Sequence, residues 1–225
     1  MSEASEAHYD EAVDHVHAGR VQEALAAVEK SLQEDGEDPL TWRLYSVILK
    51  GTGREADAKA AFEKATEFGA SDLDIHLMKA GDATVSGDLA AAICHYEDAL
   101  EIEKSRPEIW MAYAMALIGE DYKKDALEAS EKAVELGPEL AQAWFIRGRA
   151  LRFSEDFPPA LEAYDKAISL DDNLLAAWYE RGIVLAQGGA FPDSLKCFEK
   201  ILETHPEDPS ATKAIEAINA QMGNA

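Results

Sequence analysis

Residues 141–174 read AQAWFIRGRALRFSEDFPPALEAYDKAISLDDNL, and the rest of the chain repeats this stretch. Moving 34 residues forward from Trp144 reaches Trp178, and moving back reaches Trp110, His76, Trp42 and His8. All four tryptophans therefore occupy one register. Four residues after each of these positions stand Ala12, Ser46, Ala80, Ala114, Gly148 and Gly182, all small. Sixteen residues after them stand Ala24, Ala58, Ala92, Ala126, Ala160 and Ser194, small again.

Four residues further on, an aromatic recurs as Phe62, Tyr96, Tyr164 and Phe198, with Val28 and Ser130 in the other two frames. Three residues later come Ser31, Ala65, Ala99, Ala133 and Ala167, then Ile201. This pattern resembles the tetratricopeptide repeat, a 34-residue helix–turn–helix unit with the signature W-x2-L-G-x2-Y…A-x3-F…P. The closing proline is present as Pro138 and Pro206. Where the family often carries Leu, this chain has Glu11, Tyr45, Lys79, Tyr113, Arg147 and Arg181. Long polar side chains suit that position because the stem packs while the tip reaches water.

The packing logic agrees with the resemblance. Small residues at fixed points let paired helices approach to about 8–10 Å. One pair cannot bury its own apolar face, so roughly three or more units must stack to build a core. The expected fold is all-α, with thirteen helices and no strands. Six units cover 5–38, 39–72, 73–106, 107–140, 141–174 and 175–208, and a C-terminal capping helix covers 209–222. The resemblance implies an α-solenoid wound as a right-handed superhelix.

Within this frame, the first unit is the most degenerate. It is acid-rich, carries His8, Glu11 and His15 at positions expected to be apolar, and reads as an N-terminal cap preceded by frayed residues Met1–Ala4. Turns are expected at Thr52-Gly53, Ser86-Gly87-Asp88 and Gly119-Glu120-Asp121. Pro39, Pro107, Pro158 and Pro192 suit first helical turns, where the missing N–H has no partner to lose. Ile215, Ile218 and Met222 form the apolar stripe of the last helix, with Lys213, Glu216 and Asn219 facing out and Gly223–Ala225 as tail.

The chain has 44 acidic and 21 basic residues, for a net charge of −23. Such a charge repels nucleic acid and anionic lipid, so neither is an expected partner. Cys94 and Cys197 lie three units apart on second helices and are expected as free thiols, which fits a cytoplasmic, reducing setting. The N-terminus lacks the basic and apolar regions of a signal peptide. No apolar run approaches the roughly 18 residues of a membrane span.

No catalytic, phosphate-binding or metal-binding motif is present, so no enzyme, cofactor or metal is expected. Gly51-Thr52-Gly53 is a turn between helices, not a phosphate loop. His8, His15 and His17 read as part of a solvated cap, because the strong zinc motif pairs its histidines at i,i+4. His76 reads as a packed imidazole in place of tryptophan.

The informative surface is the one the resemblance makes concave, lined by the first helix of each unit. Positions one, five and eight residues after the tryptophan register are Tyr9, Val13 and Val16; Arg43, Val47 and Lys50; Leu77, Gly81 and Thr84; Met111, Met115 and Ile118; Phe145, Arg149 and Arg152; Tyr179, Ile183 and Ala186. The middle of this set is apolar and Met-rich, a composition suited to adaptable helix-binding surfaces. Packing as ordinary core is the competing reading for Met111 and Met115.

Arg149 and Arg152 share a helix face that has no acid between Ala141 and Ser154. They either grip a carboxylate or phosphate, or pair with acids of adjacent units such as Glu180 or Glu120. Arg147 and Arg181, in equivalent positions, read as structural. Some members of the family hold the C-terminal carboxylate of chaperone tails with a Lys, Asn and Arg clamp. The groove positions here contain no Asn, which argues against that partner.

The expected function is a protein–protein interaction scaffold that binds a peptide or helical segment in the groove. Two alternatives stand: a self-associating structural solenoid forming a homo-oligomer, and a small-anion site at Arg149 and Arg152.

Overall fold

The computed structural model describes residues 3–223, and the side chains of Glu3 and His17 lie outside the described set. The described residues form thirteen helices and no strand. They divide into two compact units, residues 1–102 and 103–225.

The first unit holds α1 (Glu3–His17), α2 (Val21–Glu34), α3 (Pro39–Gly51), α4 (Glu55–Glu67), α5 (Asp72–Ser86) and α6 (Leu89–Ile102). The second holds α7 (Pro107–Gly119), α8 (Lys123–Leu136), α9 (Ala141–Phe153), α10 (Phe157–Leu170), α11 (Leu175–Gln187), α12 (Phe191–Thr204) and α13 (Pro209–Gly223). Each odd-numbered helix up to α11 packs most extensively on the even-numbered helix that follows it. The short connections make each such pair run back antiparallel.

Two boundaries differ from the sequence reading. Glu3 and Ala4 belong to α1 and are not frayed, while Met1 and Ser2 lie outside the described residues. Ser5, buried in the first turn of α1, explains this. Its hydroxyl lies 2.9 Å from Ser31 Oγ, and Ser31 Oγ donates to the Ser5 carbonyl at 2.8 Å. At the other end, α13 runs through Gly223, and Asn224 and Ala225 lie outside the described residues.

The turn inside each pair is the same object six times. Gly19, Gly53, Gly87, Asp121, Glu155 and Gly189 all adopt left-handed backbone, with φ from 62° to 81°. They stand 34 residues apart. The next residue donates its N–H to the carbonyl five residues back, as in Arg54 to Leu49 at 3.0 Å and Asp156 to Leu151 at 2.9 Å. These bonds satisfy carbonyls that a helix end otherwise leaves unpaired.

The core follows the register. All six small residues from Ala12 to Gly182, and all six from Ala24 to Ser194, are buried. Gly148 and Gly182 are required by close approach. A Cβ at Gly148 would lie 2.5 Å from Tyr164 Cε1, and one at Gly182 would lie 2.8 Å from Phe198 Cζ. Both aromatic residues are fully buried against these glycines. Where the partner is Ser46, the aromatic Phe62 remains partly exposed.

The tryptophans share one environment. Their indole Nε1 groups donate to the carbonyl six residues earlier: Trp42 to Gly36 at 2.7 Å, Trp110 to Lys104 at 2.9 Å, Trp144 to Pro138 at 2.8 Å and Trp178 to Asp172 at 3.0 Å. Each indole ties its helix to the loop that precedes it. In the second unit, Ala211 and Ile218 of α13 pack with Phe198 and Ile201 of α12, joined by Ile215. Met222, expected in the apolar stripe, is exposed and takes no part in that cluster.

Candidate functional site

The register places the groove positions on α1, α3 and α5 of the first unit and on α7, α9 and α11 of the second. In the first unit, Tyr9 and Leu77 are half-buried. Arg43 and Lys50 of α3 reach across to α5. Arg43 Nη1 lies 2.7 Å from Asp74 Oδ1, and Lys50 Nζ lies 2.9 Å from Asp82 Oδ1. Lys50 also donates to the Asp82 carbonyl at 3.0 Å. Val47 sits on the same face of α3 between these cations and is 51% exposed, an apolar side chain bracketed by two ion pairs.

In the second unit the contacts run through three successive first helices. Arg149 of α9 donates from Nη1 to Met115 Sδ of α7 at 3.3 Å. Its Nε lies 3.7 Å from Glu180 Oε1 of α11, and Arg152 Nε lies 3.0 Å from Glu180 Oε2. Of the two sequence readings of these arginines, the structure shows the pairing with Glu180, which supplies one oxygen to each. One carboxylate thus faces two guanidiniums, and neither Nε makes a hydrogen bond of acceptable geometry.

Met111 is half-buried and packs against Ala133, Val134 and Ala143, so part of it belongs to the core. Phe145 is only 9% exposed. Its ring lies 6.2 Å from that of Tyr164, and the Arg149 guanidinium lies 6.0 Å from it. Phe145 thus supports the face from beneath. Tyr179 is half-buried and meets Phe198 edge-on at 5.5 Å, with Ile183 packed in the same cluster.

Beneath the arginines, the Tyr164 hydroxyl is buried without a hydrogen bond. Burial pushes its phenol well above the ordinary tyrosine range, and the Glu180 charge pushes the same way. Arg147 stacks over Trp144 at 5.4 Å. Arg181 pairs with Asp165 at 2.6 Å and donates to Cys197 Sγ at 3.1 Å. Both act as bracing for the helix pairs.

The family resemblance, applied to the register, pointed to the groove positions of α1, α3, α5, α7, α9 and α11. It did not reveal the acids that face them, Asp74 and Asp82, because these stand at different offsets from the register. It also did not reveal a cluster in the first unit. His76, His95 and Asp98 come from two helices and offer ligand atoms within 4.8 Å of one another. Among the described residues no helix is long and apolar enough to cross a membrane, and Cys94 and Cys197 are both free.

Comparison with known proteins agrees with this architecture. A tetratricopeptide-repeat family model matches residues 123–173 and 147–211. No curated protein matches the chain in sequence. The fold is similar to that in the crystal structure of the APC/C hetero-tetramer Cut9–Hcn1, with a TM-score of 0.79 and 14% identity over 96% of this chain. This chain spans 43% of that one. It is also similar to PilW, a widely conserved type IV pilus biogenesis factor, with a TM-score of 0.75 and 12% identity over 96% of this chain and 100% of PilW. YrrB, a TPR protein with an unusual peptide-binding site, aligns over 76% of this chain and 88% of its own, with a TM-score of 0.52 and 23% identity. Residues 123–211 thus match the tetratricopeptide-repeat family model, and the described residues form an all-α array of helical repeats whose register runs from His8 to Trp178.

Proposed function

We propose that the protein is a non-catalytic scaffold that holds a peptide or helical segment of another protein on the faces of its first helices. The observation that carries this reading is the run of contacts from Met115 through Arg149 to Glu180. It gives α7, α9 and α11 a common face on which thioether and apolar groups adjoin partly buried charge. Adaptable Met side chains beside fixed polar groups suit an amphipathic helix.

Val47, Met111, Met115, Tyr179 and Ile183 supply apolar anchors. Tyr9, Leu77, Arg43, Lys50, Arg149 and Arg152 frame them, and Phe145 backs them. The partner segment carries apolar anchors flanked by basic residues, because a chain of net charge −23 attracts positive charge and repels acids. The resemblance in fold to YrrB, described as having a peptide-binding site, supports a peptide ligand. Two unpaired thiols support a reducing compartment such as the cytosol.

Selection from a displayed library of helical peptides against the full chain tests the proposal. Selected peptides should share apolar anchors with basic flanks. Met115→Ala and Val47→Asp should each weaken peptides bound at their own unit by about tenfold or more, while melting temperatures stay close to wild type. Phe145→Ala is unsuitable as a probe, since truncating a buried aromatic costs about 3–5 kcal/mol of stability. Peptides that bind both variants as tightly as the parent chain would refute the assignment.

A further inference from the structure

In four units the register residue is tryptophan and its indole reaches the preceding loop. In the third unit it is His76, which turns instead toward the second helix of its pair. His76 Nδ1 lies 3.0 Å from Asp98 Oδ2. His95 Nδ1 lies 3.7 Å from the same oxygen. The two imidazoles are 5.8 Å apart between centroids and inclined at 52°.

His95 and Asp98 are three residues apart on α6 and share a face. His76 comes from α5, so the cluster bridges both helices of the pair. Both Nδ1 atoms are buried and make no hydrogen bond of acceptable geometry. Two buried ring nitrogens thus converge on one carboxylate with their bonding capacity unused.

We propose that His76, His95 and Asp98 bind a divalent transition ion of the zinc class. Zinc holds nitrogen and oxygen ligands at about 2.0–2.2 Å in a tetrahedron, which places ligand atoms roughly 3.3 Å apart. The observed separations of 3.0 and 3.7 Å bracket that spacing. Two imidazoles with one carboxylate select zinc, copper, nickel or iron over magnesium and calcium, which take oxygen ligands. Three protein ligands leave a further position for water. His95 also lines a cleft of about 550 Å³ with Phe62, Lys79 and Asp82, which gives that water a path.

The N-terminal histidines do not compete. His8 and His15 face different oxygens of Glu11, Oε2 and Oε1, and Arg20 Nε already donates to His15 Nδ1 at 2.9 Å.

The test is zinc titration of the full chain in a nitrilotriacetate buffer, which suppresses weak binding by surface carboxylates. One equivalent should bind saturably and raise the melting temperature of the chain. Cobalt(II) should give the d–d absorption of a low-coordinate nitrogen–oxygen site. His76→Asn combined with His95→Asn should lower zinc affinity at least about tenfold and abolish the cobalt band. Asp98→Asn changes a half-exposed side chain, so it serves if the histidine variant fails to fold, and should also weaken binding. Cys94→Ser should bind like the parent. No saturable binding, equal binding by the histidine and Asp98 variants, or loss of binding in Cys94→Ser would each overturn the assignment.

Discussion

The phenol ring of Tyr164 packs against Gly148, so close that a β-carbon there would lie 2.5 Å from Cε1 and 2.6 Å from Cδ1. Tyr164 is fully buried. Gly148→Ala should therefore destabilise the second unit by about 1–3 kcal/mol, the usual cost of overpacking. Gly182→Ala should do the same, with a smaller effect, because its contact with Phe198 Cζ is 2.8 Å. Urea denaturation measures both. An unchanged midpoint for Gly148→Ala would show that the ring can shift freely.

The turns offer the opposite kind of substitution. Glu155 sits at φ 62° and Asp121 at φ 64°, where the equivalent residues of the other four pairs are glycine. A left-handed conformation costs a side-chain-bearing residue about 1–2 kcal/mol, partly offset by the greater freedom glycine has when unfolded. Glu155→Gly should stabilise the chain by roughly 0.5–1 kcal/mol. Asp121→Gly should gain less, since aspartate tolerates this region. A lower melting temperature for Glu155→Gly would count against the strain argument.

Glu180 serves two guanidiniums. In Glu180→Gln, Arg149 and Arg152 keep their positions without a counter-charge. The pair is partly exposed, so the loss should be modest, roughly 1 kcal/mol. Millimolar phosphate should then stabilise the variant more than the parent chain, because the anion replaces the missing carboxylate. Equal responses of the two proteins would mean that the arginines are satisfied elsewhere.

The two cysteines should behave differently toward a thiol reagent. Cys94 is exposed and Cys197 is buried. Burial pushes the Cys197 thiol above its ordinary value, and the neighbouring Arg181 only partly offsets this. The folded state therefore favours the protonated thiol. Its contribution to stability is complete below the unfolded thiol value of about 8.5 and is lost as pH rises beyond it. Cys94 should be labelled at once and Cys197 only as the second unit opens. Cys197→Ala should flatten the fall in stability that begins above about pH 8.5. Tyr164, raised in the same direction, should add a further decline above about pH 10.

The helix pairs, their turns and the residues at their contacts are legible in the chain alone. Ala12 to Gly182, Ala24 to Ser194 and the four indoles recur at a fixed spacing because every pair meets its partner helix in the same way. Such contacts are local along the chain, so their chemistry is written at regular intervals. Which charges meet depends on the packing of the helices. Glu180 stands between Arg149 and Arg152, Asp74 and Asp82 face Arg43 and Lys50, and His76 turns to His95 and Asp98. That packing also draws Phe145 beneath the surface, whereas the family resemblance placed it in the groove. Long side chains choose partners by reach and direction across a neighbouring helix, and those depend on how the helices are set against each other, which no spacing along the chain encodes.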